Sequence, residues 1–306
     1  MKIALMIDDF EKHLKTKGFS ERTIRTYVGY VQFFDRFLEQ KNVREIVDIS
    51  RDLVSQYQLS LCTKNEYNQR LLCIKTQALR MAAVISFSKF LHKLGHLENN
   101  PSSHIDIPRL PKSLPKSILS EKEVLKILKS PKDNDPLEIR DKAILELFYS
   151  TGIRNSELRK LCIYDIDFSR GFIRISGKGG KDRIIPIGDV AAWHIEEYLK
   201  RSRPQLLRKH TDTLFISKNG RVLTDDFPSW IVQKYASRIG LTKPINAHTF
   251  RHTFATHMIK KGANLRIVQE MLGHSSLETT QIYTKVEIGD LKKVHSETHP
   301  REVDLI

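Results

Sequence analysis

The sequence has few of the residues that build disulfide frameworks or metal sites. Its 306 residues include three cysteines, Cys62, Cys73 and Cys162, and none of them stands close to a histidine or to another cysteine. Disulfide-rich domains and zinc sites depend on closely spaced sets of such residues. We therefore expect neither a disulfide framework nor a metal site, and the cysteine usage fits a reducing cytoplasm.

Long apolar runs are also missing. No stretch reaches the roughly 18 consecutive apolar residues that a transmembrane helix requires. The apolar start of the chain is interrupted by Asp8, Asp9 and Glu11, and no small-residue cleavage site follows. The sequence therefore predicts no membrane association and no signal peptide.

Basic residues are abundant. The chain has 51 Lys and Arg against 36 Asp and Glu, which gives a net charge of +15 and a pI of about 9.6. Residues 1–107 carry +4 of this charge and residues 108–306 carry +11. Such an excess indicates a polyanionic partner, most often nucleic acid. An ordinary basic surface has the same composition, so charge alone leaves both interpretations open.

The first 107 residues show the periodicity of helices. Ser20 is a candidate N-cap, and apolar residues then recur at three- and four-residue steps through Leu38. Further helical stripes run through residues 53–61 and 67–94. The pattern predicts an all-α N-terminal bundle, residues 1–107, with one basic side. That side could face DNA or solvent, and the pattern does not distinguish the two.

A proline-rich stretch separates this bundle from the rest. Pro108, Pro111 and Pro115 favour an extended linker over residues 108–116. Ser120 and Glu123 then form a capping-box pair that opens a new helix. The second domain, residues 117–306, is therefore expected to start directly after the linker.

The second domain is predicted to be mixed but mainly helical. Gly152 is a candidate helix stop. Residues 172–176 and 183–187 read as two antiparallel strands joined by a glycine-rich turn, and residues 214–216 as a short strand. Helices are expected from residue 189 and again from residue 247 almost to the end.

Four clusters in this domain carry residues suited to phosphate chemistry. They contain Arg154, Lys178, His248, Arg251, His274 and Tyr283. Arg154 follows the glycine stop, Lys178 lies in the hairpin turn, and Tyr283 comes nine residues after His274. Taken singly, each has an ordinary structural interpretation: a surface cation, a turn lysine, a helix-start histidine or a core tyrosine. Their order and spacing together make that interpretation improbable.

These six residues match a known family in order, type and spacing. The sequence resembles the tyrosine recombinases, and within them the Xer-type chromosome-dimer resolvases, over nearly its whole length. The segments 108–115, 119–124 and 272–284 resemble Xer sequences, the last almost residue for residue. Phe250 and Lys285 depart from the usual family residues, which weakens the Xer assignment relative to a mobile-element integrase but touches none of the six.

The resemblance implies a SAM-like N-terminal bundle, a catalytic domain with a small antiparallel sheet, and covalent chemistry. Tyr283 would attack a DNA phosphate and form a 3′-phosphotyrosine bond. Arg154 and Arg251 can fork onto the phosphate and hold the charge that grows in the transition state. His274 can donate to the same oxygens.

Proton transfer would fall to the other two residues. His248 is the candidate for moving the tyrosine proton, because histidine side chains ordinarily exchange protons near neutral pH. Lys178 would protonate the departing 5′-oxygen, although Lys181 lies in the same turn and is a rival. The phosphotyrosine keeps the energy of the broken bond, so no cofactor is expected.

The family also implies partners. Four protomers, as a homo-tetramer or a hetero-tetramer with a paralogue, would act on a double-stranded DNA recombination site, with a DNA translocase as a regulator. The two domains would clamp the duplex in the cytoplasm, on the nucleoid. Alternatives are a mobile-element integrase, a type IB topoisomerase and a non-enzymatic DNA-binding protein. The intact set of six argues against the last, and the Xer-like segments argue against a topoisomerase.

The C-terminal tail, residues 287–306, is predicted to dock. Ile288, Leu291 and Val294 recur at helical spacing, and the segment is too short for a core of its own. A frayed terminus is the ordinary alternative. The family precedent is docking on a neighbouring protomer.

Overall fold

The structure, a computed structural model, describes residues 3–63, 71–107, 118–176, 182–273 and 288–303. The chain divides into two compact units, residues 1–113 and 114–306. Residues 108–117 lie outside the described part of the chain, and so does the predicted linker. None of the described helices is long and apolar enough to cross a membrane.

The N-terminal unit is helical throughout its described residues, as predicted. Its helices are α1 (Ile3–Thr16), α2 (Glu21–Gln40), α3 (Arg51–Leu61) and α4 (Ile74–Lys93). Ser20 caps α2, because its hydroxyl accepts a hydrogen bond from the Thr23 backbone N–H at 3.2 Å. The N-cap prediction is confirmed.

Aromatic side chains fill the interior of this unit. The Phe10 ring meets the Phe87 ring edge-on with centroids 5.3 Å apart, and the Phe34 and Tyr57 rings lie 4.9 Å apart. Each of the four helices contributes one of these rings. Aromatic pairs of this kind add about 0.5–1.5 kcal/mol beyond their burial. The N-terminal unit is therefore stabilised mainly by apolar packing.

The second unit is mainly helical. Its helices are α5 (Glu121–Lys129), α6 (Pro136–Thr151), α7 (Asn155–Leu158), α8 (Asp189–Glu197), α9 (Arg203–Leu206), α10 (Phe227–Arg238), α11 (Ala247–Lys260), α12 (Leu265–Leu272), α13 (Ile288–Thr298) and α14 (Pro300–Val303). Helix α6 is central and almost entirely buried, with α5, α8, α10 and α11 packed around it. The Ser120–Glu123 capping box at the start of α5 is confirmed.

A small antiparallel sheet completes the unit. Its strands are β1 (Ile166–Asp167), β2 (Phe172–Ile175) and β3 (Arg183–Pro186), in the order β1-β2-β3. In the β2–β3 hairpin, Ile175 pairs with Arg183. The predicted antiparallel strand pair is confirmed, and the glycine-rich turn predicted between the strands lies outside the described residues. Strand β1 was not predicted, because two residues carry no periodicity.

The strand predicted at residues 214–216 is wrong. Only isolated bridges occur there, Cys162 with Thr213 and Ile216 with Val222. Leu214, Phe215 and Ile216 are all fully buried in the core. A short buried apolar run looks like a strand in sequence, although packing alone accounts for it.

The C-terminal tail packs on its own unit. His295 lies in α13 and His299 directly follows that helix, and both side chains are buried. The His295 Nε2 atom lies 2.7 Å from the Ser150 carbonyl oxygen, and the His299 Nε2 atom lies 2.9 Å from the Tyr149 carbonyl oxygen. Arg301 forms an ion pair with the buried Glu146 at 2.8 Å. The tail was predicted to dock, but on a neighbouring protomer. In the single chain it makes these polar contacts with α6 and also packs on β3, α11, α12 and α8.

Candidate active site

The structure describes three of the six predicted catalytic residues. Arg154, His248 and Arg251 lie within the second unit. Lys178, His274 and Tyr283 lie outside the described residues, and so does the rival Lys181. The described residues therefore include the two arginines that would hold a phosphate.

Arg154 is positioned by the end of helix α6. Gly152 ends that helix in the left-handed conformation, with φ of 59°, and Arg154 then becomes the N-cap of α7. Its guanidinium donates to Glu157 Oε1 at 2.8 Å and to the Gly273 carbonyl oxygen at 2.7 Å. About a third of its side chain, 34%, is exposed. Arg154 is thus anchored at one edge and open to solvent at another.

Arg251 is buried beside it. It lies in the second turn of α11 and is only 7% exposed. Its guanidinium donates to the Gly152 carbonyl oxygen at 2.8 Å and to the Leu272 carbonyl oxygen at 2.5 Å. Burial, aided by the charge of Arg154, lowers the pKa of Arg251 to about 10, so it stays protonated at neutral pH.

The two arginines converge on the end of helix α12. Their acceptors there are consecutive carbonyl groups, those of Leu272 and Gly273. The last carbonyls of a helix have no partner within the helix and carry partial negative charge. The cations satisfy these carbonyls, and in the sequence the next residue is His274. The sequence prediction that Arg154 and Arg251 act at one site is consistent with this geometry.

Glu157 belongs to the same cluster and was missed in the sequence. Burial raises the pKa of its carboxyl, but hydrogen bonds from Arg183 and from the Arg154 backbone outweigh burial and lower the pKa to about 2. The Arg154 backbone N–H donates to Glu157 Oε2 at 2.9 Å. Glu157 is therefore ionised at neutral pH. Its spacing of three from Arg154, on one helix face, is the signal that could have identified it.

Arg183 is the second residue that the sequence did not identify. Both of its terminal nitrogens donate to Glu157, one to each carboxylate oxygen at 2.8 Å, and its Nε donates to the Met271 carbonyl oxygen at 2.9 Å. Its side chain is 12% exposed. The first residue of a strand offers no local sign of such a contact.

The described cluster carries a net positive charge. Arg154, Arg183 and Arg251 contribute three positive charges, against the single negative charge of Glu157. A surplus of two positive charges, partly shielded from water, suits a phosphodiester whose negative charge grows in the transition state. Elsewhere in the described ranges, no group of three or more His, Cys, Asp or Glu side chains is arranged to hold a metal ion.

His248 occupies a different environment. It lies in the first turn of α11 and is exposed, whereas Arg251 three residues later is buried. The spacing predicted that both side chains share one helix face. The structure adds that this face runs from solvent at His248 into the interior at Arg251.

The chain matches the family described as Phage integrase family over residues 117–288, and the phage integrase N-terminal SAM-like domain over residues 7–95. The chain therefore belongs to the phage integrase family, and it is a tyrosine recombinase, an enzyme that exchanges DNA strands. The predicted fold class, a helical SAM-like unit followed by a mainly helical catalytic unit with a small sheet, is confirmed.

Xer recombinases are among its relatives. It is 38% identical over 293 residues to tyrosine recombinase XerC 2 of Ralstonia nicotianae, covering 95% of this chain and 84% of that protein. It is 39% identical over 290 residues to tyrosine recombinase XerD of Halalkalibacterium halodurans, covering 93% and 94%. These relatives confirm the predicted resemblance and define a site-specific recombinase.

Solved structures share the fold. The XerH recombinase bound to its difH substrate, in a pre-cleavage complex, is 25% identical with a TM-score of 0.64 and covers 88% of this chain and 78% of that one. A lambda integrase dimer on a core site, residues 75–356, is 20% identical with a TM-score of 0.69, covering 94% and 100%. The second likeness concerns the fold alone.

Proposed function

We propose that the chain cuts and rejoins duplex DNA at a specific site through a 3′-phosphotyrosine bond at Tyr283. The observation that carries this proposal is the convergence of Arg154 and Arg251 on the end of α12, the helix that leads into His274 and Tyr283. Two guanidinium groups fixed by backbone carbonyls cost little reorganisation when a phosphate arrives. Their charge is the main requirement of the transition state.

The reaction exchanges one ester for another. The Tyr283 hydroxyl oxygen attacks phosphorus, the bond to the 5′-oxygen breaks, and a 3′-phosphotyrosine and a free 5′-hydroxyl result. His248 takes up the tyrosine proton and Lys178 gives a proton to the 5′-oxygen. A 5′-hydroxyl from another strand then attacks the phosphotyrosine, and the same steps run in reverse.

Arg154 and Arg251 divide the work of holding the phosphate. Because Arg154 is about one-third exposed, it can reach the non-bridging oxygens directly. Arg251 is buried, so it supplies a fixed positive charge in a medium that screens it little. His274, which follows Gly273 in the sequence, would donate to the same oxygens.

The biological role we propose is the resolution of chromosome dimers. The relatives named XerC and XerD, and the XerH structure bound to difH substrate, support an Xer role. A lambda integrase tetramer has been solved on a Holliday junction, which supports a four-protomer assembly. We propose a homo-tetramer, or a hetero-tetramer with a paralogue, on a double-stranded site, with residues 1–107 gripping DNA, residues 108–116 as linker and residues 117–306 as catalytic domain. A DNA translocase would trigger cleavage on the nucleoid.

A covalent-adduct assay tests the nucleophile. Tyr283→Phe removes only the attacking oxygen, so it should bind a nicked site as wild type does and form no protein–DNA adduct on a denaturing gel. Tyr164→Phe is the matched control, because Tyr164 is 67% exposed and lies outside the cluster. An adduct with Tyr283→Phe would refute the assignment.

Plasmid substrates test strand exchange. A recombinase should give resolved products only from plasmids with two sites. Relaxation of plasmids that lack any site would instead indicate a topoisomerase.

The general acid can be tested by substituting sulfur for the bridging 5′-oxygen, which makes a leaving group that needs no proton. Lys178→Ala should slow cleavage of ordinary DNA by roughly 10²–10⁴-fold, and the sulfur substrate should restore its rate. Lys181→Ala should lose mainly DNA affinity, and more so as salt rises. Rescue of Lys181→Ala by sulfur would reverse the two assignments.

A further inference from the structure

Arg183 connects three elements that border the proposed site. It is the first residue of β3, five residues after Lys178 in the sequence. From there its guanidinium reaches Glu157 in α7 and the carbonyl oxygen of Met271 in α12. Three hydrogen bonds, between 2.8 and 2.9 Å, therefore hold one side chain against both neighbouring elements.

The packing around Arg183 is close. Gly273, with φ of 62°, ends α12 directly beside the guanidinium. A Cβ atom at position 273 would lie 3.1 Å from Arg183 Cδ and Nε and 3.2 Å from its Cζ. Such distances are tighter than ordinary van der Waals contacts. Close packing as well as hydrogen bonds therefore fixes Arg183, and position 273 accommodates little other than glycine.

Glu157 creates an electrostatic problem that Arg183 can solve. The Glu157 carboxylate lies 2.8 Å from Arg154, the more exposed of the two phosphate-holding arginines. If Glu157 had no other partner, it would neutralise Arg154 and reduce its attraction for a phosphate. Arg183 takes both carboxylate oxygens in a fork-to-fork pair, which is the strongest geometry for such an interaction.

We propose that Arg183 is a positioning residue for strand cleavage: by pairing with both oxygens of Glu157, it leaves the charge of Arg154 available to the scissile phosphate. This inference rests on the proposed function. Arg183 itself would not contact the phosphate, because its side chain is only 12% exposed, against 34% for Arg154. Lysine cannot replace it, because a single ammonium group cannot hold two oxygens and a carbonyl in one plane.

Single-turnover cleavage of a nicked site provides the main test. Arg183→Gln should cut the cleavage rate by about 10²-fold, because Glu157 would then neutralise Arg154, and the loss of one preorganised phosphate-binding group has an effect of this size. DNA affinity should change by less than about threefold, since many other phosphate contacts remain. Arg183→Lys should cleave only slightly faster than Arg183→Gln and far more slowly than wild type. It replaces Arg183→Gln as the test if the glutamine variant folds poorly.

A second substitution separates this mechanism from a structural one. In Arg183→Gln the Glu157 carboxylate has only Arg154 left to pair with. Glu157→Gln added to Arg183→Gln removes that carboxylate, so the double variant should cleave at least about tenfold faster than Arg183→Gln alone. A double variant as slow as the single one, or slower, would overturn the proposal.

A second bidentate pair in the same unit provides the control. Arg238 donates to both carboxylate oxygens of Glu138, at 2.7 and 3.0 Å, at the far end of α6. Hydrogen bonding from Arg238 also lowers the pKa of Glu138, to about 2. Arg238→Gln should therefore disturb the fold comparably but leave the cleavage rate within about twofold of wild type.

Two results distinguish failure of this inference from failure of the proposed function. If wild type forms no covalent adduct, the proposed function is wrong and Arg183 has nothing to position. If wild type cleaves and Arg183→Gln cleaves equally fast, only the inference is wrong. Full rescue of Arg183→Gln by the 5′-sulfur substrate would also overturn it, because the effect would then lie at the leaving oxygen and not at Arg154.

Discussion

The two units of the chain bury different chemistry. In the described part of the N-terminal unit, the interior is apolar and aromatic, and Arg80 is the buried charged side chain. The catalytic unit buries several charged side chains and several histidines. They are Glu138, Arg140, Asp141, Glu146, Arg203, Arg251, His194, His257, His295 and His299.

The difference follows from what each unit must hold. A buried charge loses its hydration and is tolerated only when partners replace the lost water. Under the proposed function, the catalytic unit offers a fixed Arg251 to a phosphate, which requires a scaffold that keeps cations paired away from bulk water. The role proposed for the N-terminal unit, gripping DNA through its outer surface, requires only a firm shape, which apolar packing supplies.

The largest expected effect on stability comes from removing one carboxylate from each unit and comparing the two losses. Asp141 is fully buried and accepts from Arg140 at 2.7 Å, from Lys234 at 3.1 Å and from Tyr235 at 2.9 Å. Asp141→Asn leaves two cations without their counter-ion, so we expect it to destabilise the catalytic unit by about 3–5 kcal/mol. Both tryptophans, Trp193 and Trp230, lie in this unit, so their fluorescence in a urea titration measures the loss.

Asp35→Asn is the matched change in the N-terminal unit. Burial, with the nearby charge of Glu39, raises the pKa of Asp35, so its ionised form is disfavoured. Its removal should change stability by less than about 0.5 kcal/mol, read by hydrogen exchange of α2. A large loss of stability in Asp35→Asn, or no loss in Asp141→Asn, would contradict the distinction between the two units.

A smaller effect comes from two glycines in left-handed backbone, one in each unit. Gly152→Ala would place a Cβ 2.5 Å from Phe254 and 2.8 Å from Leu272, in a backbone with φ of 59°. Strain and overpacking together should cost roughly 2–4 kcal/mol. Because the Gly152 carbonyl accepts from Arg251, cleavage should slow as well.

Gly95→Ala shares the strain but not the crowding. Gly95 has φ of 76°, and nothing lies within 4 Å of the position its Cβ would take. We expect a loss of about 1 kcal/mol, from backbone strain alone. Hydrogen exchange of α4 measures it, and equal losses at the two glycines would show that the crowding around Gly152 adds nothing to the backbone strain.

Local signals in the sequence predicted the element boundaries well. The Ser20 cap, the Ser120–Glu123 capping box and the Gly152 stop all act within a few residues, and the structure confirms them. Residues 214–216 failed as a strand because their apolar character reflects burial and not pairing.

Contacts between distant residues were harder to predict. Arg183 and Glu157 are 26 residues apart, and neither carries a local pattern that announces the pair. The apolar spacing of the tail predicted docking but not its surface. His295 and His299, which make the buried contacts with α6, are polar residues that sequence patterns assign to the exterior.

The last effect that we predict is a pH dependence confined to the catalytic unit. His295 and His299 stack with ring centroids 4.8 Å apart beneath the docked tail. Burial lowers the pKa of His295 to about 4, and burial, aided by the charge of His295, lowers the pKa of His299 well below its ordinary value. The titratable and charged groups around them are Glu146 of α6, Asp189 of α8, His257 of α11, and Arg301 and Glu302 of α14.

The sign of the effect follows from which form binds the proton. When the tail is docked, His295 and His299 stay neutral below pH 6.5, whereas in a released tail both become protonated there. The free energy of docking is therefore fully present above about pH 6.5 and weakens as pH falls towards 4. Each histidine contributes about 1.4 kcal/mol per pH unit in that window. Glu146 and Glu302 oppose this, because burial raises the pKa of both carboxyls and their docked forms gain a proton on acidification. Because the histidine pKa values are lowered far from their ordinary value, a net loss remains, which hydrogen exchange of α13 between pH 7 and 5 should detect. His295→Gln keeps a donor for the Ser150 carbonyl but cannot titrate, so it should flatten the profile. In the described part of the N-terminal unit no histidine is fully buried, and burial lowers the pKa of the partly exposed His13 in α1. Exchange in α1 should therefore respond to pH less than exchange in α13, and α2 to α4 should exchange at rates that, corrected for intrinsic chemistry, do not change over the same range.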